Sequence, residues 1–258
     1  MRTALTIAGS DSVGGAGIQA DIKAMGSLGV HATSVITAVT AQNTCRVSEI
    51  FPIPLYVIEK QIDAVFEDCD IKAVKTGMLY NSEITGLVSE KLENVGVPVI
   101  IDPVFTASVG GSLAGDGVAD AVKKHLMPLC ELITPNRFEG EVLAGIEIHN
   151  EDDAIKACEI IGKDGTPVYL KGGHMDTSDV IDYYYKDGEI LTIAYPRLKR
   201  SGHGSGCTLS SFITANCAKG SEMISSIKKS RALIQKSIET QYVIGKGDEV
   251  VNPMIRID

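Results

Sequence analysis

Short apolar segments rich in valine and isoleucine recur along the chain, and most are followed by a polar loop and then by an amphipathic stretch. The pattern predicts six strands, at residues 4–8, 31–40, 71–75, 97–101, 131–134 and 167–171. These segments alternate little between apolar and polar positions, which is typical of strands covered on both faces. Helical periodicity appears between them, at residues 17–28, 54–67, 81–94, 116–126 and 151–161. This alternation predicts an α/β fold with three layers: a mostly parallel central sheet and helices on both faces.

The pattern changes near residue 179. Two short segments with strand character, 180–185 and 190–194, flank Asp187-Gly188, a dipeptide typical of a tight hairpin turn. Two further helices are predicted at 205–219 and 221–241. The chain has no internal repeat, low-complexity tract or linker, so we predict a single domain over residues 1–258.

Composition narrows the classes of function. The chain has 258 residues and a formal net charge of −9, and so lacks the basic field of a protein that binds nucleic acid or an acidic membrane surface. The first apolar run is too short for a signal peptide, and no segment approaches the roughly 18 apolar residues of a membrane span. Six cysteines include no CxxC pair, so neither a zinc site nor a disulfide framework is predicted. We expect a cytoplasmic protein that acts on a small molecule, with neither nucleic acid nor a membrane as partner.

Polar, glycine-rich segments follow the predicted strands. They fall at residues 9–17, 42–44, 76–78, 102–103, 134–139, 171–174 and 202–207. In open sheets of this class, ligands bind outside the carboxyl ends of the strands. We therefore expect these segments to share one site at one edge of the sheet.

The last of these segments, Gly202-His203-Gly204-Ser205-Gly206-Cys207, directly precedes a predicted helix. Helix N-termini carry unpaired N–H groups, and glycines let an anion approach the backbone closely. The segment therefore predicts a phosphate-binding loop, with a flexible turn capped by Ser205 as the alternative. Cys207 falls in the first turn of the helix, where the pKa of a thiol is lowered. A small cysteine that packs the helix is the alternative there.

Residues 202–210 resemble the signature of the ribokinase-like superfamily. Many of its members carry an aspartate where this chain has Cys207. The cysteine is similar to that of the vitamin-kinase branch, and specifically of the hydroxymethylpyrimidine/phosphomethylpyrimidine kinases of thiamin biosynthesis. Further blocks resemble that family in the same order, at residues 5–11, 14–21, 34–38, 41–44, 75–79, 101–104, 132–136 and 171–174.

The resemblance implies ATP-dependent phosphorylation, with Mg²⁺, of 4-amino-5-hydroxymethyl-2-methylpyrimidine and then of its monophosphate to the diphosphate. A pyridoxal or pyridoxine kinase of the same branch is the first alternative, and Gln42 disfavours it because some pyridoxal-acting relatives lack this residue. A non-catalytic pyrimidine-binding regulator is the second alternative. The complete glycine loop and the pair Asn136 and Glu139 disfavour it. Relatives also lead us to expect a homodimer.

The same resemblance implies roles for individual residues. Transfer is expected at the loop and helix start formed by Gly204, Ser205, Gly206 and Cys207. The aminopyrimidine is expected at Gly9, Ala16, Asp21, Gln42, Met78 and Val104. ATP is expected at Asn136, Lys171, His203 and Ser205, and Mg²⁺ at Glu139 and Asp102.

Residue types alone also allow structural roles at several of these positions. Asn136 and Glu139 fit a helix-capping pair, and Asp102 before Pro103 fits a turn. Lys171 fits a solvated strand end. The remaining alternatives are a helix-surface charge at Asp21 and a core position at Met78.

Two questions stay open at this point. The first is whether Cys207 accepts a proton or only contributes to an anion hole. The second concerns Ala107, which stands where relatives often carry a lysine. If that lysine contacts a phosphate, the second phosphorylation is the step that its loss affects.

Overall fold

The computed structural model of the chain describes residues 1–106, 113, 115, 117–174, 178–198 and 202–255. These residues form one nine-stranded sheet with the strand order β3-β2-β1-β4-β5-β6-β7-β8-β9. The strands are β1 Arg2–Asp11, β2 Val30–Gln42, β3 Val47–Pro52, β4 Ile71–Thr76, β5 Val99–Ile101, β6 Leu132–Ile133, β7 Val168–Leu170, β8 Asp179–Lys186 and β9 Glu189–Pro196. Ala107, on which the expectation for the second phosphorylation depends, lies outside the described residues.

Helices cover both faces of the sheet. They are α1 Gly17–Ser27, α2 Leu55–Asp68, α3 Ser82–Leu92, α4 Val118–Ala121, α5 Arg137–Ala144, α6 Glu151–Gly162, α7 Ser205–Ala218 and α8 Met223–Glu239. Helices α1, α7 and α8 pack on one face, and α2 to α6 pack on the other. Of the helices described, none combines the length and the apolar character needed to cross a membrane. The α/β, three-layer prediction is confirmed.

The central strands are apolar on both faces, as parallel strands between two helical layers must be. In β1, Ala4 contributes to the core under α1 and α7, whereas Leu5 and Ile7 contribute to the opposite core, and all three are fully buried. Strand β1 pairs in parallel with β2 on one side and with β4 on the other. The chain order therefore reverses direction at β1. This reversal opens a crevice at the carboxyl ends of the strands, where ligands bind in such sheets.

Antiparallel strands close the two sides of the sheet. The predicted hairpin is present as β8 and β9, and Asp187 and Gly188 adopt positive φ values of 51° and 85°, as a two-residue primed turn requires. Strand β3 was not predicted. It is an edge strand that is mostly exposed, so residues 47–52 carry too few buried side chains to produce an apolar pattern.

Two helices differ from the sequence prediction. The predicted helix at 116–126 is α-helical only over Val118–Ala121 and continues as a π-helical turn at Val122–Leu126, with residue 116 outside the described range. Helix α5 was not among the predicted helices. It ends after eight residues at Gly145, which has a φ of 70°, and so is too short to display a clear helical period.

The core on the α7 face should be sensitive to truncation of its large aromatic residue. Phe212 in α7 is fully buried, whereas Phe51 in the edge strand is 63% exposed. We expect Phe212→Ala to lower the free energy of unfolding by about 3–5 kcal/mol, because it leaves a cavity. Phe51→Ala, the matched control, should change it by no more than about 0.5 kcal/mol. Urea unfolding followed by circular dichroism measures both, and equal losses in the two variants would contradict this assignment of the core.

Candidate active site

A cavity of about 610 Å³ opens at the carboxyl ends of the strands. Loops that follow β1, β2, β4, β5, β6 and β7 contribute to its wall, together with the start of α7 and one face of α8. The predicted shared edge is therefore where the cavity lies. Every residue assigned to the site from the sequence lines this cavity except Asp21.

The start of α7 forms the centre of the cavity wall. Gly204 precedes the helix with a φ of 88°, and no side chain caps the helix start, so the alternative of a Ser205 cap is wrong. Within the described residues, the amides of Ser205, Gly206 and Cys207 donate no hydrogen bond to a backbone carbonyl. Three adjacent N–H groups at a helix start attract an anion through their own polarity and through the helix dipole.

Close backbone contacts hold the glycine loop in place. A Cβ atom at Gly204 would lie 1.8 Å from the carbonyl oxygen of Gly15, so only glycine fits. On the other side, the amide of His203 donates to the carbonyl of Glu249 (2.8 Å), and the amide of Val251 donates to the carbonyl of His203 (3.2 Å). The loop is thus fixed between the segment after β1 and the segment after α8.

One end of the cavity carries a cluster of charged side chains. The Lys171 Nζ atom lies 3.0 Å from Asp102 Oδ1 and 3.8 Å from Glu139 Oε2. The hydroxyl of Ser210 in α7 donates to the other oxygen of Asp102, at 3.1 Å. A Cβ atom at Gly206 would lie 3.3 Å from Lys171 Nζ, so the free amides at the start of α7 lie directly beside this cluster. Lys171 is not a solvated strand end.

Asn136 and Glu139 form a complete capping box at the start of α5. The Asn136 side chain accepts from the Glu139 amide (3.0 Å), and Glu139 Oε2 accepts from the Asn136 amide (2.7 Å). Both residues also line the cavity, so the capping role does not remove them from it. Burial, opposed by the charge of Lys171 and reinforced by nearby Asp102, raises the pKa of Glu139 to about 7.

The chemistry of this cluster fits Mg²⁺. Within the described ranges there is no group of three or more histidine, cysteine or carboxylate side chains able to enclose a metal ion. Asp102 and Glu139 instead offer two carboxylates beside the anion-attracting amides. Mg²⁺ characteristically takes one or two carboxylates and completes its shell with water and substrate phosphates. A bound cation would also favour the ionised form of Glu139.

The environment of Cys207 reverses one prediction. The sequence predicts a lowered pKa for a thiol in the first turn of a helix, yet burial raises the pKa of Cys207 to about 12. The positive charge of Lys75 opposes that rise, whereas Asp102 and Asp21 add to it. Loss of solvation therefore outweighs the helix terminus here, and the thiol of the ligand-free protein is neutral at physiological pH.

The predicted contact between Asp21 and the substrate is wrong, and so is the alternative of a surface charge. Asp21 lies in α1, is fully buried and does not line the cavity. Its Oδ2 atom accepts from Thr6 Oγ1 (2.6 Å) and Lys75 Nζ (3.1 Å), and its Oδ1 atom accepts from Ser211 Oγ (2.7 Å). The sequence prediction gave no role to Lys75. The available signal was a charged residue within the buried strand β4.

Another part of the cavity wall is mostly apolar. Gly9, Ala16, Met78 and Val104 line it, as expected for a flat ring. A Cβ atom at Gly9 would lie 3.0 Å from the sulfur of Met78, so the absence of a side chain there keeps the space open. Met78 is 6% exposed and packs in a small core cluster, which means that its structural and wall-forming roles coexist.

Gln42 connects this part of the wall to the glycine loop. Its Nε2 atom lies 3.2 Å from His203 Nε2, which itself lies 3.2 Å from Asp11 Oδ2. Burial by itself raises the pKa of Asp11, but the hydrogen bonds from His203 and from the amides of Ala16 and Val13 hold it below its ordinary value. The ionised carboxylate therefore anchors His203, and with it the predicted nucleotide-binding loop, to the segment that carries the predicted substrate residues.

A third region of the cavity was not predicted. Arg231 in α8 donates to Asp182 in β8 (2.9 Å) and stacks over the ring of Tyr195, 4.3 Å from its centroid. Asp182 also accepts from the hydroxyl of Tyr169, at 2.6 Å. Apolar side chains line the cavity together with this pair: Val180, Leu198, Leu209, Ile234 and Ile238. No short motif marks these residues because they come from a hairpin and a helix far apart in sequence.

Comparison with known proteins agrees with this geometry. The family model described as phosphomethylpyrimidine kinase matches residues 11–252. A hydroxymethylpyrimidine/phosphomethylpyrimidine kinase from Bacillus subtilis is 41% identical over 96% of this chain and 93% of its own length. One of the same name from Haemophilus influenzae is 40% identical over 98% of this chain and 96% of its own length.

Solved structures give the same fold. A phosphomethylpyrimidine kinase from Clostridium difficile superposes with a TM-score of 0.82 and 39% identity, covering 92% of this chain and 100% of its own. A pyridoxal kinase from Staphylococcus aureus in complex with ADP gives a TM-score of 0.91 at 29% identity, covering 98% and 94%. With its ribokinase-like sheet, its glycine loop and its near-complete match to the family model, the chain belongs to the phosphomethylpyrimidine kinase family.

Proposed function

We propose that the chain transfers the γ-phosphoryl group of ATP to the hydroxymethyl group of 4-amino-5-hydroxymethyl-2-methylpyrimidine, and then phosphorylates the monophosphate to the diphosphate. The observation that carries the proposal is the set of three amides at the start of α7 that have no partner among the described residues and face the cavity. The apolar part of the wall and the charged cluster line the same cavity as these amides. The names of the relatives support the aminopyrimidine as acceptor.

The proposed transfer needs positioning and charge neutralisation more than covalent chemistry by the protein. The acceptor hydroxyl oxygen forms a bond to the γ-phosphorus while the bond from that phosphorus to the bridging oxygen breaks. The electrons of the broken bond leave with ADP, and the hydroxyl proton passes to water. Because the Cys207 thiol is neutral, it is not the resting base. We assign Gly204, Ser205, Gly206 and Cys207 the role of an anion hole through their backbone.

Mg²⁺ belongs to the proposal as the cation that neutralises the ATP phosphates. Glu139 and Asp102 would hold it, and Lys171 would neutralise further phosphate charge from the same side. Asn136 keeps the Glu139 carboxyl in position through the capping box. The nucleoside end of ATP fits the third region, where Arg231 and apolar side chains line the cavity.

Pyridoxal is the second candidate acceptor. The close superposition on pyridoxal kinase structures favours it. The higher sequence identity to named phosphomethylpyrimidine kinases favours the aminopyrimidine. Gln42, which lines the cavity, favours it as well. We further propose that residues 1–258 act as a single kinase domain, in a cytoplasmic homodimer, as the resemblance to the family implies.

A single assay tests the function. Purified protein with MgATP receives hydroxymethylpyrimidine, its monophosphate or pyridoxal, and the products are separated by charge. We expect ATP-dependent conversion of the first to a monophosphate and of the second to a diphosphate. Absence of transfer to all three acceptors would overturn the kinase proposal. Turnover of pyridoxal alone would select the second candidate.

The neutral state of Cys207 predicts slow alkylation in the ligand-free protein. With a pKa of about 12, the thiolate fraction at pH 7 is of the order of 10⁻⁵. Iodoacetamide should modify Cys207 at least about a hundredfold more slowly than the exposed Cys45, which serves as an internal reference. The rate at Cys207 should rise about tenfold per pH unit from pH 8 to 10. Peptide-resolved mass spectrometry measures both sites, and a plateau below pH 8 would show a lowered pKa instead.

A methyl group at position 206 should block the phosphate site. In Gly206→Ala the new Cβ projects toward Lys171 Nζ, into the space beside the free amides. We expect kcat/KM for ATP to fall at least about tenfold, a loss of roughly 1.4 kcal/mol of transition-state stabilisation. Gly86→Ala is the control, because nothing lies within 4 Å of its Cβ position in α3. Similar kcat/KM values for the two variants would count against the anion hole.

Loss of the Glu139 charge should weaken Mg²⁺ dependence without disturbing the fold. In Glu139→Gln the amide oxygen can still accept from the Asn136 amide, so the capping box persists. We expect the Mg²⁺ concentration for half-maximal activity to rise at least about tenfold. The unfolding temperature should stay within about 2 °C of the parent protein. An unchanged Mg²⁺ titration would remove Glu139 from the metal site.

A further inference from the structure

The buried pair of Asp21 and Lys75 lies beneath the floor of the cavity. Both side chains have no solvent exposure, and their charged atoms are 3.1 Å apart. Thr6 and Ser211 donate to the Asp21 carboxylate, so hydrogen bonds from three different elements hold it. Asp21 is therefore a fixed anchor, and Lys75 is the partner that it orients.

The two charges are not equally distant from the reaction space. Lys75 contributes to the cavity lining, whereas Asp21 does not. A Cβ atom at Gly77, another lining residue, would lie 3.2 Å from Lys75 Nζ, so the ammonium lies just under the floor. The pair forms an oriented dipole with its positive end toward the cavity. Within the described chain, Asp21 is the one side chain to which Lys75 Nζ donates, which leaves two of its three N–H bonds without a protein side-chain acceptor.

Stability does not account for this arrangement well. Taking two charges out of water costs several kcal/mol per ion, and apolar residues of similar volume often replace such a pair without loss. The position of the pair gives a more direct reason for it. Cys207, at the start of α7, lies within the electrostatic reach of Lys75, and Ala8 and Gly77 surround the same part of the floor.

We propose that Lys75, held by Asp21, is a positioning residue for phosphoryl transfer: its fixed positive charge under the floor stabilises the negative charge that develops on the acceptor oxygen beside Cys207. The inference rests on the proposed function, which defines that oxygen. Lys75 and Lys171 then act from two sides, with Lys171 on the phosphate side and Lys75 on the acceptor side. Preorganised charges of this kind act without reorganisation during the reaction.

The charge of Lys75 is permanent at physiological pH. Burial would lower the pKa of Lys75, but the Asp21 carboxylate, together with Asp102, raises it well above its ordinary value. The charged groups that face Cys207 are Lys75 from β4, Asp102 after β5, Asp21 from α1 and Lys171 after β7. Removal of Lys75 therefore leaves Asp21 with no lysine partner among the described residues, whereas Asp102 keeps Lys171.

The test replaces both charges at once, so that no buried carboxylate is left unpaired. In the double variant Lys75→Met with Asp21→Asn, the asparagine can still bond to Thr6 and Ser211. We expect kcat to fall at least about a hundredfold, while KM for ATP stays within about threefold. Alkylation of Cys207 at pH 9, with no substrate present, should slow at least about twofold, because the lost charge of Lys75 favours the thiolate more than the lost charge of Asp21 opposes it. If the pair had a purely structural role, its loss would not lower kcat at constant KM, and it would not change the alkylation rate of Cys207.

The controls separate the possible failures. Lys91→Met removes a lysine held by Glu59 and Asp63 far from the cavity, and should leave kcat unchanged. If the folded double variant keeps kcat within about threefold of the parent, the inference is overturned.

If the double variant does not fold, Ser211→Ala provides the test. A fall in kcat of about threefold or more with unchanged KM supports the inference, and an unchanged kcat overturns it. If the parent protein phosphorylates no acceptor, the proposed function fails, and the alkylation comparison still decides whether Lys75 acts on Cys207.

Discussion

The contact between the backbones of Gly15 and Gly204 sets the geometry of the cavity. It brings the segment after β1 and the glycine loop so close that a single Cβ atom at Gly204 would overlap a carbonyl oxygen. The ionised Asp11 strengthens the contact, since its carboxylate binds amides of its own loop and the ring of His203. The acceptor end and the phosphate end of the cavity are therefore joined through a rigid connection, although they belong to opposite ends of the chain.

Around this connection, two lysines experience different environments. Lys171 lies beside Asp102 and Glu139 at the cavity surface. There a metal ion can replace the lysine as the partner of the carboxylates, and the lysine can then bind a phosphate. Lys75 is sealed with Asp21 and cannot exchange its partner. One cluster is thus suited to bind and release ligands, and the other to supply a constant field. The neutral Cys207 lies within the electrostatic reach of both lysines.

Much of the site could be predicted because its residues occur in contiguous motifs. The glycine loop, the pair Asn136 and Glu139, and Asp102 each lie in a loop at the carboxyl edge of the sheet or in the first turn of the helix that follows it, so the topology brings them together. Properties that depend on how deeply a side chain is buried could not be predicted from the sequence. The sequence places Cys207 in a first helical turn, but its pKa depends on how far the site is desolvated. Asp21 shows the same limit for contacts, because only tertiary packing reveals that it faces a lysine from a strand 54 residues later.

The edge strand β3 is too exposed to produce a pattern, and the wall around Arg231 is assembled from distant segments. The α/β layers, by contrast, depend only on local periodicity.

The pairing of His203 with residues 249–251 has a consequence for the order in which the molecule is completed during synthesis. The strands that form the sheet all precede residue 197, so the sheet can be assembled while α8 and the segment after it are still being translated. The glycine loop gains its second flank only when Glu249 and Val251 have left the ribosome. An emerging chain should therefore acquire its sheet before the loop that is proposed to hold the nucleotide is fixed on both sides.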